Sequence, residues 1–218
     1  MPRARKNRVL PRLYAILDLE LTAAHGFEPL ELIGAWLDAG IRLVQLRAKS
    51  WPGGPLLELA EQALARTRPA GARVIVNDRA DIARLADADG VHVGQDDLSA
   101  TQVRTVVGPE RFVGLSTHDP AQVEAACAEP VDYIAIGPVF PSSTRMAVAT
   151  PLGEAGVADA ARLAARAGLP IVAIGGITID NAPKVIAAGA AAVAVISGLL
   201  DPDPRARARR FLEVLAAA

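Results

Sequence analysis

The sequence predicts a single-domain (β/α)8 barrel of the α/β class, and three observations carry that expectation. Eight short aliphatic runs alternate with longer amphipathic stretches, glycines close several of those stretches, and a polar or glycine-containing motif follows nearly every run. An open doubly wound sheet is the alternative, but its ligand motifs would cluster at one switch point rather than recur after every strand.

Taken in order, the strand candidates are LYAIL (13–17), RLVQLR (42–47), RVIVN (73–77), GVHV (90–93), FVGLS (112–116), YIAIG (133–137), PIVAIG (170–175) and AVAVIS (192–197). Such runs suit a parallel sheet buried on both faces. Gly40, Gly108, Gly168 and Gly189 stand just before the next strand, where a helix C-terminus calls for positive φ. Asp119 before Pro120, and Asp180 near the head of the segment ending at Gly189, mark helix starts. Residues 1–12, with Arg3, Arg5, Lys6, Arg8 and Arg12, read as a basic tail with no apolar region of a secretory signal behind it, and residues 13–218 as the barrel.

With 218 residues, 51% hydrophobic composition and a formal net charge of -1, one large core is affordable and no polyanion-binding surface is expected. No run approaches the ~20 apolar residues needed to span a bilayer. The lone cysteine, Cys127, lies in an Ala-rich helical stretch and reads as a buried structural thiol. These features together predict a soluble cytoplasmic protein without nucleic-acid or membrane partners; assembly into a homo-oligomer is left open.

Chemistry is expected at the C-terminal ends of the strands. QLRAK (45–49) sets Gln45, Arg47 and Lys49 at alternate positions, on one side of an extended chain. A guanidinium fork and a compact ammonium suit a diphosphate, and the Gln45 amide suits the edge of a heterocycle; a solvated basic strand end is the plainer reading. VND (76–78) and GVHVGQDD (90–97) bring Asn77, Asp78, His92, Gln95, Asp96 and Asp97 to neighbouring strand ends. Asp78 and Asp97 make a sparse pair that suits Mg2+, which takes one or two carboxylates beside substrate phosphate. The competing role for these aspartates is helix N-capping, preferred for Asp96.

His92 alternates with Val91 and Val93 and so points into the lumen, as a substrate contact or a satisfied core histidine, while His25 reads as a loop residue. GLSTH (114–118) puts Ser116 at the rim without a legible activating base, which favours phosphate contact over nucleophilic attack. His118 reads as capping the next helix, with catalysis the lesser alternative. GPVFPSSTR (137–145) opens a long loop suited to a lid, whose Ser142, Ser143, Thr144 and Arg145 supply anion donors. IGGI (174–177), with Gly175 and Gly176, and ISG (196–198), with Ile196 and Ser197, form the loop pair at which such barrels bind phosphate.

In this order, QLRAK, VND, GVHVGQDD, GLSTH, GPVFPSSTR, AIGGI and VISG resemble the thiamine phosphate synthase family from about Leu13 to Leu199. The resemblance implies a transferase that joins hydroxymethylpyrimidine diphosphate to hydroxyethylthiazole phosphate, releasing pyrophosphate by a dissociative displacement. It implies that Gln45 and His92 contact the pyrimidine, and that Arg47, Lys49, Asn77 and Ser116 hold the diphosphate. Asp78 and Asp97 would ligate Mg2+, and Ser142, Thr144, Gly176 and Ser197 would bind the thiazole phosphate. Arg47, Lys49, Ser116 and Arg145 are the implied catalytic set. The family loop reads Thr-x-Thr-Lys, whereas this chain has Ser142, Ser143, Thr144 and Arg145, so the Arg145 contact need not match that of lysine. A thiazole tautomerase using His118, and a silent phosphate-binding barrel, are the competing functions.

Overall fold

The computed structural model describes residues 9–141 and 150–218. Eight parallel strands close on themselves in sequence order: β1 (Leu13–Asp18), β2 (Leu43–Arg47), β3 (Arg73–Asn77), β4 (Gly90–Val93), β5 (Phe112–Thr117), β6 (Tyr133–Ile136), β7 (Ile171–Ile174) and β8 (Ala192–Val195). The aliphatic runs thus locate all eight strands to within two residues at either end. β8 returns to β1, with Val193 opposite Leu13, so no strand edge is left open.

The helices α1 (Leu19–Ala24), α2 (Pro29–Ala39), α3 (Gly53–Thr67), α4 (Ala80–Leu85), α5 (Ala100–Val107), α6 (Pro120–Cys127), α7 (Gly153–Ala165), α8 (Ala182–Ala187) and α9 (Pro204–Ala216) surround the barrel. Their apolar stripes face the sheet: Leu32, Ile33 and Trp36 of α2, and Ala208, Phe211 and Leu215 of α9, are buried. Gly40, Gly108, Gly168 and Gly189 all adopt positive φ at the helix ends, as their placement predicts. Asp119 caps α6 by accepting from the Gln122 N–H at 2.8 Å, with Pro120 in the first turn.

Two apolar clusters divide the interior. One lies between sheet and helices; the other fills the lumen with Leu10, Tyr14, Ile16, Leu43, Ile75, Phe112, Tyr133, Ala135, Val172, Ala192 and Ala194. This division follows from strand alternation, since successive side chains point in opposite directions.

Three expectations need correction. The tail boundary at residue 12 is too far along the chain: Leu10 is 8% exposed and joins the lumen cluster, the Val9 carbonyl accepts from Arg73 at 3.1 Å, and Arg12 donates to the Leu215 carbonyl at 2.6 Å. Leu10 thus plugs the N-terminal end of the barrel, and the hydrogen bonds of Val9 and Arg12 hold the chain there while their side chains stay exposed. Asp180 does not cap α8; Asn181 precedes that helix, and its side chain accepts from the Thr178 N–H at 2.8 Å and donates to the Gly176 carbonyl at 2.9 Å. Cys127 is half-buried at the end of α6, its sulfur 4.0 Å from the Leu163 carbonyl.

Candidate active site

The C-terminal mouth is built first by the pairing of β1 and β2, which sets Asp18 directly beside Arg47. Asp18 is 3% exposed and has two tasks: it caps α1 through the Leu21 N–H at 3.1 Å, and it accepts a hydrogen bond and ion pair from the Arg47 guanidinium. The pairing holds the guanidinium at the rim of β2 while leaving part of it in water. One turn of chain further, Lys49 pairs with Asp78, and the Ser50 N–H and hydroxyl donate to Glu20 at 3.1 and 2.7 Å, tying the β2 loop to α1. Burial works against the Glu20 charge, but these hydrogen bonds and the nearby Arg47 charge hold its carboxyl below the usual range. Gln45, Arg47 and Lys49 therefore lie along one line from lumen to rim, each with its own partner.

Asp78 occupies the left-handed region at φ 61°, which aspartate tolerates better than most residues. Its N–H donates to the His92 carbonyl at 2.7 Å, extending the β3–β4 ladder by one bond and aiming the side chain at β4. There it meets Asp97, whose carboxylate accepts from the Gly94 N–H at 2.8 Å. Burial raises the Asp78 carboxyl above its ordinary range; the Lys49 hydrogen bond opposes this and the adjoining Asp97 adds to it. Burial also disfavours the Asp97 charge, but the Gly94 N–H, the bond to Asp78 and the charge of Lys49 hold it below the ordinary range. Of the two carboxylates, Asp97 therefore ionises first.

No group of three or more His, Cys, Asp or Glu residues among the described residues is placed to hold a metal. The Asp78 and Asp97 pair is nevertheless the donor set that Mg2+ takes when phosphate oxygens and water complete its shell. A carboxylate whose proton affinity is raised by its acidic neighbour, as that of Asp78 is by Asp97, is also a place where added positive charge is stabilising. N-capping accounts for neither residue. α4 follows Arg79, and α5 is capped by Ser99 in a reciprocal box with Gln102. The expected Asp96 cap is thus corrected: the cap sits three residues later because Gly94 and Asp97 close a turn ahead of the helix.

Below the rim, the lumen holds a continuous polar chain. The Gln45 amide nitrogen donates to the Tyr14 hydroxyl at 2.8 Å, and the Tyr14 and Tyr133 hydroxyls lie 3.0 Å apart. The Tyr133 hydroxyl is 3.0 Å from His92 Nδ1, and His92 Nε2 is 2.9 Å from the Ser116 hydroxyl. Gln95 clamps the Ser116 carbonyl with an N–H bond of 2.6 Å. Asn77 lies at the end of β3, beside His92 in the register. His118 is not the cap of α6; Asp119 is, and His118 Nδ1 donates to the Gly137 carbonyl at 2.7 Å while its N–H donates to Gln122 at 2.8 Å. His25 ends α1, its Nδ1 2.8 Å from the Leu21 carbonyl.

On the opposite side, Gly175 and Gly176 have φ of 101° and 65°. A Cβ on Gly175 would lie 2.7 Å from Pro138 Cα, and one on Gly176 would lie 2.5 Å from the Pro141 carbonyl oxygen. Both glycines are therefore required by the close passage of the β6 loop, fastened by Phe140 N–H to the Gly175 carbonyl at 3.0 Å, as well as by positive φ. Ile196 leads from β8 into a 3-10 turn, Ser197–Leu199, with Ser197 exposed at its start. Ser142, Ser143, Thr144 and Arg145, with the lid assigned to them, lie outside the described residues.

Three residues of this site escape the motif reading: Asp18, Tyr14 and Tyr133. The signal for Asp18 was an acid closing an aliphatic strand, and for the tyrosines a polar-tipped ring at an inward position of β1 and β6.

Comparison with known proteins agrees with this architecture. The thiamine monophosphate synthase family profile matches residues 13–199. Thiamine-phosphate synthase of Koribacter versatilis is 43% identical over 211 residues, covering 94% of this chain and 96% of that protein. A putative thiamine-phosphate synthase of Geobacter sulfurreducens is 41% identical over 204 residues, covering 93% of both chains. The structure of a thiamine phosphate pyrophosphorylase from Pyrococcus furiosus superposes with a TM-score of 0.85 at 28% identity, covering 94% of this chain and 96% of the other. With a profile match that spans all eight strands and relatives alike from end to end, this chain belongs to the thiamine monophosphate synthase family.

Proposed function

We propose that this protein is a thiamine phosphate synthase, coupling hydroxymethylpyrimidine diphosphate to hydroxyethylthiazole phosphate in the cytoplasm. The single observation that carries the reading is the convergence of Arg47, Lys49, Asp78 and Asp97 on one side of the barrel mouth, each fastened to a neighbour.

In the reaction, the bond between the pyrimidine methylene carbon and the diphosphate oxygen breaks, and its electron pair leaves with the diphosphate. The thiazole nitrogen then donates its lone pair to the resulting cation, forming the C–N bond. The protein's task is to stabilise negative charge as it grows on the leaving group, and preorganised cations perform that task best in a water-poor cleft. Arg47, already oriented by Asp18, offers a fork to two phosphate oxygens. Lys49 supplies a mobile point charge that can exchange its Asp78 partner for phosphate. Asp78 and Asp97 would hold Mg2+, which when bound supplies Lewis-acid charge to the diphosphate oxygens. Asn77 and Ser116 add neutral hydrogen bonds at the adjoining strand ends. Gln45 and His92 stand below, where the pyrimidine ring would enter. The Gly175, Gly176, Ile196 and Ser197 loops would bind the thiazole phosphate; Ser142 and Thr144, assigned to the same phosphate, and Arg145, assigned to the charge of the leaving group, lie outside the described residues.

Mixing the two substrates with Mg2+ and measuring thiamine phosphate tests the activity. Asp78→Ala and Asp97→Ala are each expected to abolish Mg2+-dependent pyrophosphate release; full activity in both variants would refute the metal assignment. Absence of product from the wild-type protein, with both substrates shown to bind, would leave a phosphate-binding barrel instead.

A further inference from the structure

His92 and Ser116 stand 2.9 Å apart, the separation expected of a base and the nucleophile that it activates. The remainder of the lumen decides whether the histidine can act in that way. Tyr14 and Tyr133 are each 1% exposed, Gln45 is 2% exposed and His92 7%, so the proton on each group has few places to go.

The direction of every bond follows from one end. An amide nitrogen carries only hydrogens, so Gln45 donates and the Tyr14 oxygen accepts. A buried hydroxyl hydrogen needs an acceptor, so the Tyr14 hydrogen is assigned to the Tyr133 oxygen at 3.0 Å, and the single Tyr133 hydrogen then to His92 Nδ1. Burial raises both phenols far above their usual range, so each keeps its hydrogen and remains a donor. A nitrogen that accepts has no hydrogen of its own, and the neutral ring must then carry its proton on Nε2. That proton points at Ser116, which accepts and so turns its own hydrogen away from His92.

We propose that Tyr14 and Tyr133 are positioning residues that hold His92 as the Nε2–H tautomer, making the Ser116 hydroxyl an outward hydrogen-bond donor to an anionic phosphate oxygen. The pair is oriented against nucleophilic catalysis, because an Nε2 that already bears hydrogen cannot take another from serine. It is oriented for anion recognition, because a hydroxyl that is already accepting a hydrogen bond has its donor free and is polarised by it. Gln95, clamping the Ser116 carbonyl, keeps the hydroxyl at the rim. The phosphate as recipient rests on the synthase reading; the direction of the chain does not.

Gly114 shows how closely the arrangement is fitted. It occupies the inward position of β5 between the two rings, where a Cβ would lie 2.4 Å from the Tyr133 oxygen and 2.5 Å from His92 Nδ1. The Tyr133 and His92 rings stack at 5.5 Å with planes 18° apart, and Tyr14 meets Tyr133 edge-on at 6.1 Å and 78°. These contacts leave the hydroxyls one geometry in which to meet.

The test begins with nitrogen NMR of 15N-histidine protein at neutral pH without substrate, the His92 signals being identified by their loss in His92→Gln. The expected result is a hydrogen-bearing Nε2 and a bare Nδ1; a hydrogen on Nδ1, alone or on a doubly protonated ring, would overturn the proposal. This measurement needs no turnover, so it decides the direction of the chain even if the synthase assay fails. Kinetics then test the consequence. Tyr133→Phe removes the hydrogen offered to Nδ1 and is expected to lower kcat roughly tenfold with a smaller change in KM, since charge grows on the leaving group during reaction. In a Ser116→Ala background the same change should cost less than about twofold, because the relay then has no hydroxyl to orient. A full tenfold loss in both backgrounds would assign Tyr133 a merely structural role.

Discussion

Replacing Gly114 by alanine is the most informative single perturbation of this molecule. The added Cβ would lie 2.1 Å from Tyr133 Cζ, where carbon atoms in contact normally stand roughly 3.5–4.0 Å apart. The overlap cannot be relieved cheaply. Tyr133 is fully buried, stacked on His92, and its hydroxyl lies 3.0 Å from both Tyr14 and His92, so any shift that clears the methyl stretches both hydrogen bonds. Overpacking of this kind costs about 1–3 kcal/mol, and leaving a buried polar partner unsatisfied costs about 1–3 kcal/mol more. The sum is about 2–6 kcal/mol, which for a chain of this size corresponds to a fall in Tm of roughly 5–20 °C. Urea denaturation of Gly114→Ala against wild type measures it. Gly34→Ala in α2 is the control: nothing lies within 4 Å of its Cβ position, so the helix should gain about 0.5–1 kcal/mol. If Gly114→Ala unfolded at the wild-type midpoint with an unchanged denaturant slope, the lumen would have slack that these distances deny, and the reasoning about Tyr133 would be wrong.

Three further outcomes follow from the same geometry. Asp18→Asn keeps an α1 cap but removes the charge facing Arg47; the expected loss is about 2 kcal/mol, below that of a fully buried pair because Arg47 retains 20% side-chain exposure, and added pyrophosphate should restore more Tm to this variant than it adds to wild type. Gly176→Ala forces a side chain to φ 65° with its Cβ 2.5 Å from the Pro141 carbonyl oxygen; about 2–3 kcal/mol of stability should be lost, and calorimetry should show weakened thiazole phosphate binding. Tyr14 and Tyr133 have folded-state values raised above the phenol's ordinary 10.0. Their contribution is therefore complete below pH 10.0 and is lost as pH rises through and beyond that value, at about 1.4 kcal/mol per pH unit for each phenol. Denaturation midpoints from pH 9 upward in roughly equal steps should fall less steeply in Tyr133→Phe, and identical slopes would count against this assignment.

The parts of the molecule that the sequence makes legible are those with a local cause. Parallel strands buried on both faces must be aliphatic throughout, so LYAIL or RVIVN is recognisable without its neighbours, and the αL glycine that ends a helix marks its own position. The cationic line through Gln45, Arg47 and Lys49 is likewise a matter of alternation along one strand. What local pattern cannot carry is the choice of partner across the lumen. Tyr14 and Tyr133 are 119 residues apart and read as ordinary strand aromatics until closure of the barrel brings their hydroxyls together. Asp18 escapes the motif reading because its cap of α1 is local but its hold on Arg47 arises only from the β1–β2 register. Asp96 is misassigned for the converse reason, since acid-rich turns offer several caps and only the geometry of Gly94 and Asp97 selects Ser99.

This difference has a consequence for how the barrel accepts substitution. In most (β/α)8 barrels the loops at the C-terminal end carry the chemistry while the lumen beneath is apolar filling, so the two can vary separately. Here the hydrogen-bonded chain runs from the rim at Ser116 through His92, Tyr133 and Tyr14 to Gln45, crossing five of the eight strands. A change deep in the core can then alter which way a hydroxyl points at the rim, and a change at the rim can leave a buried phenol without a partner. Such a network fixes one arrangement of protons when every member is satisfied and penalises each partial loss. Stability and activity should therefore fall together for lumen substitutions along this path, and should separate for equally buried positions outside the barrel, such as Val103 or Val123, which belong to the cluster between sheet and helices.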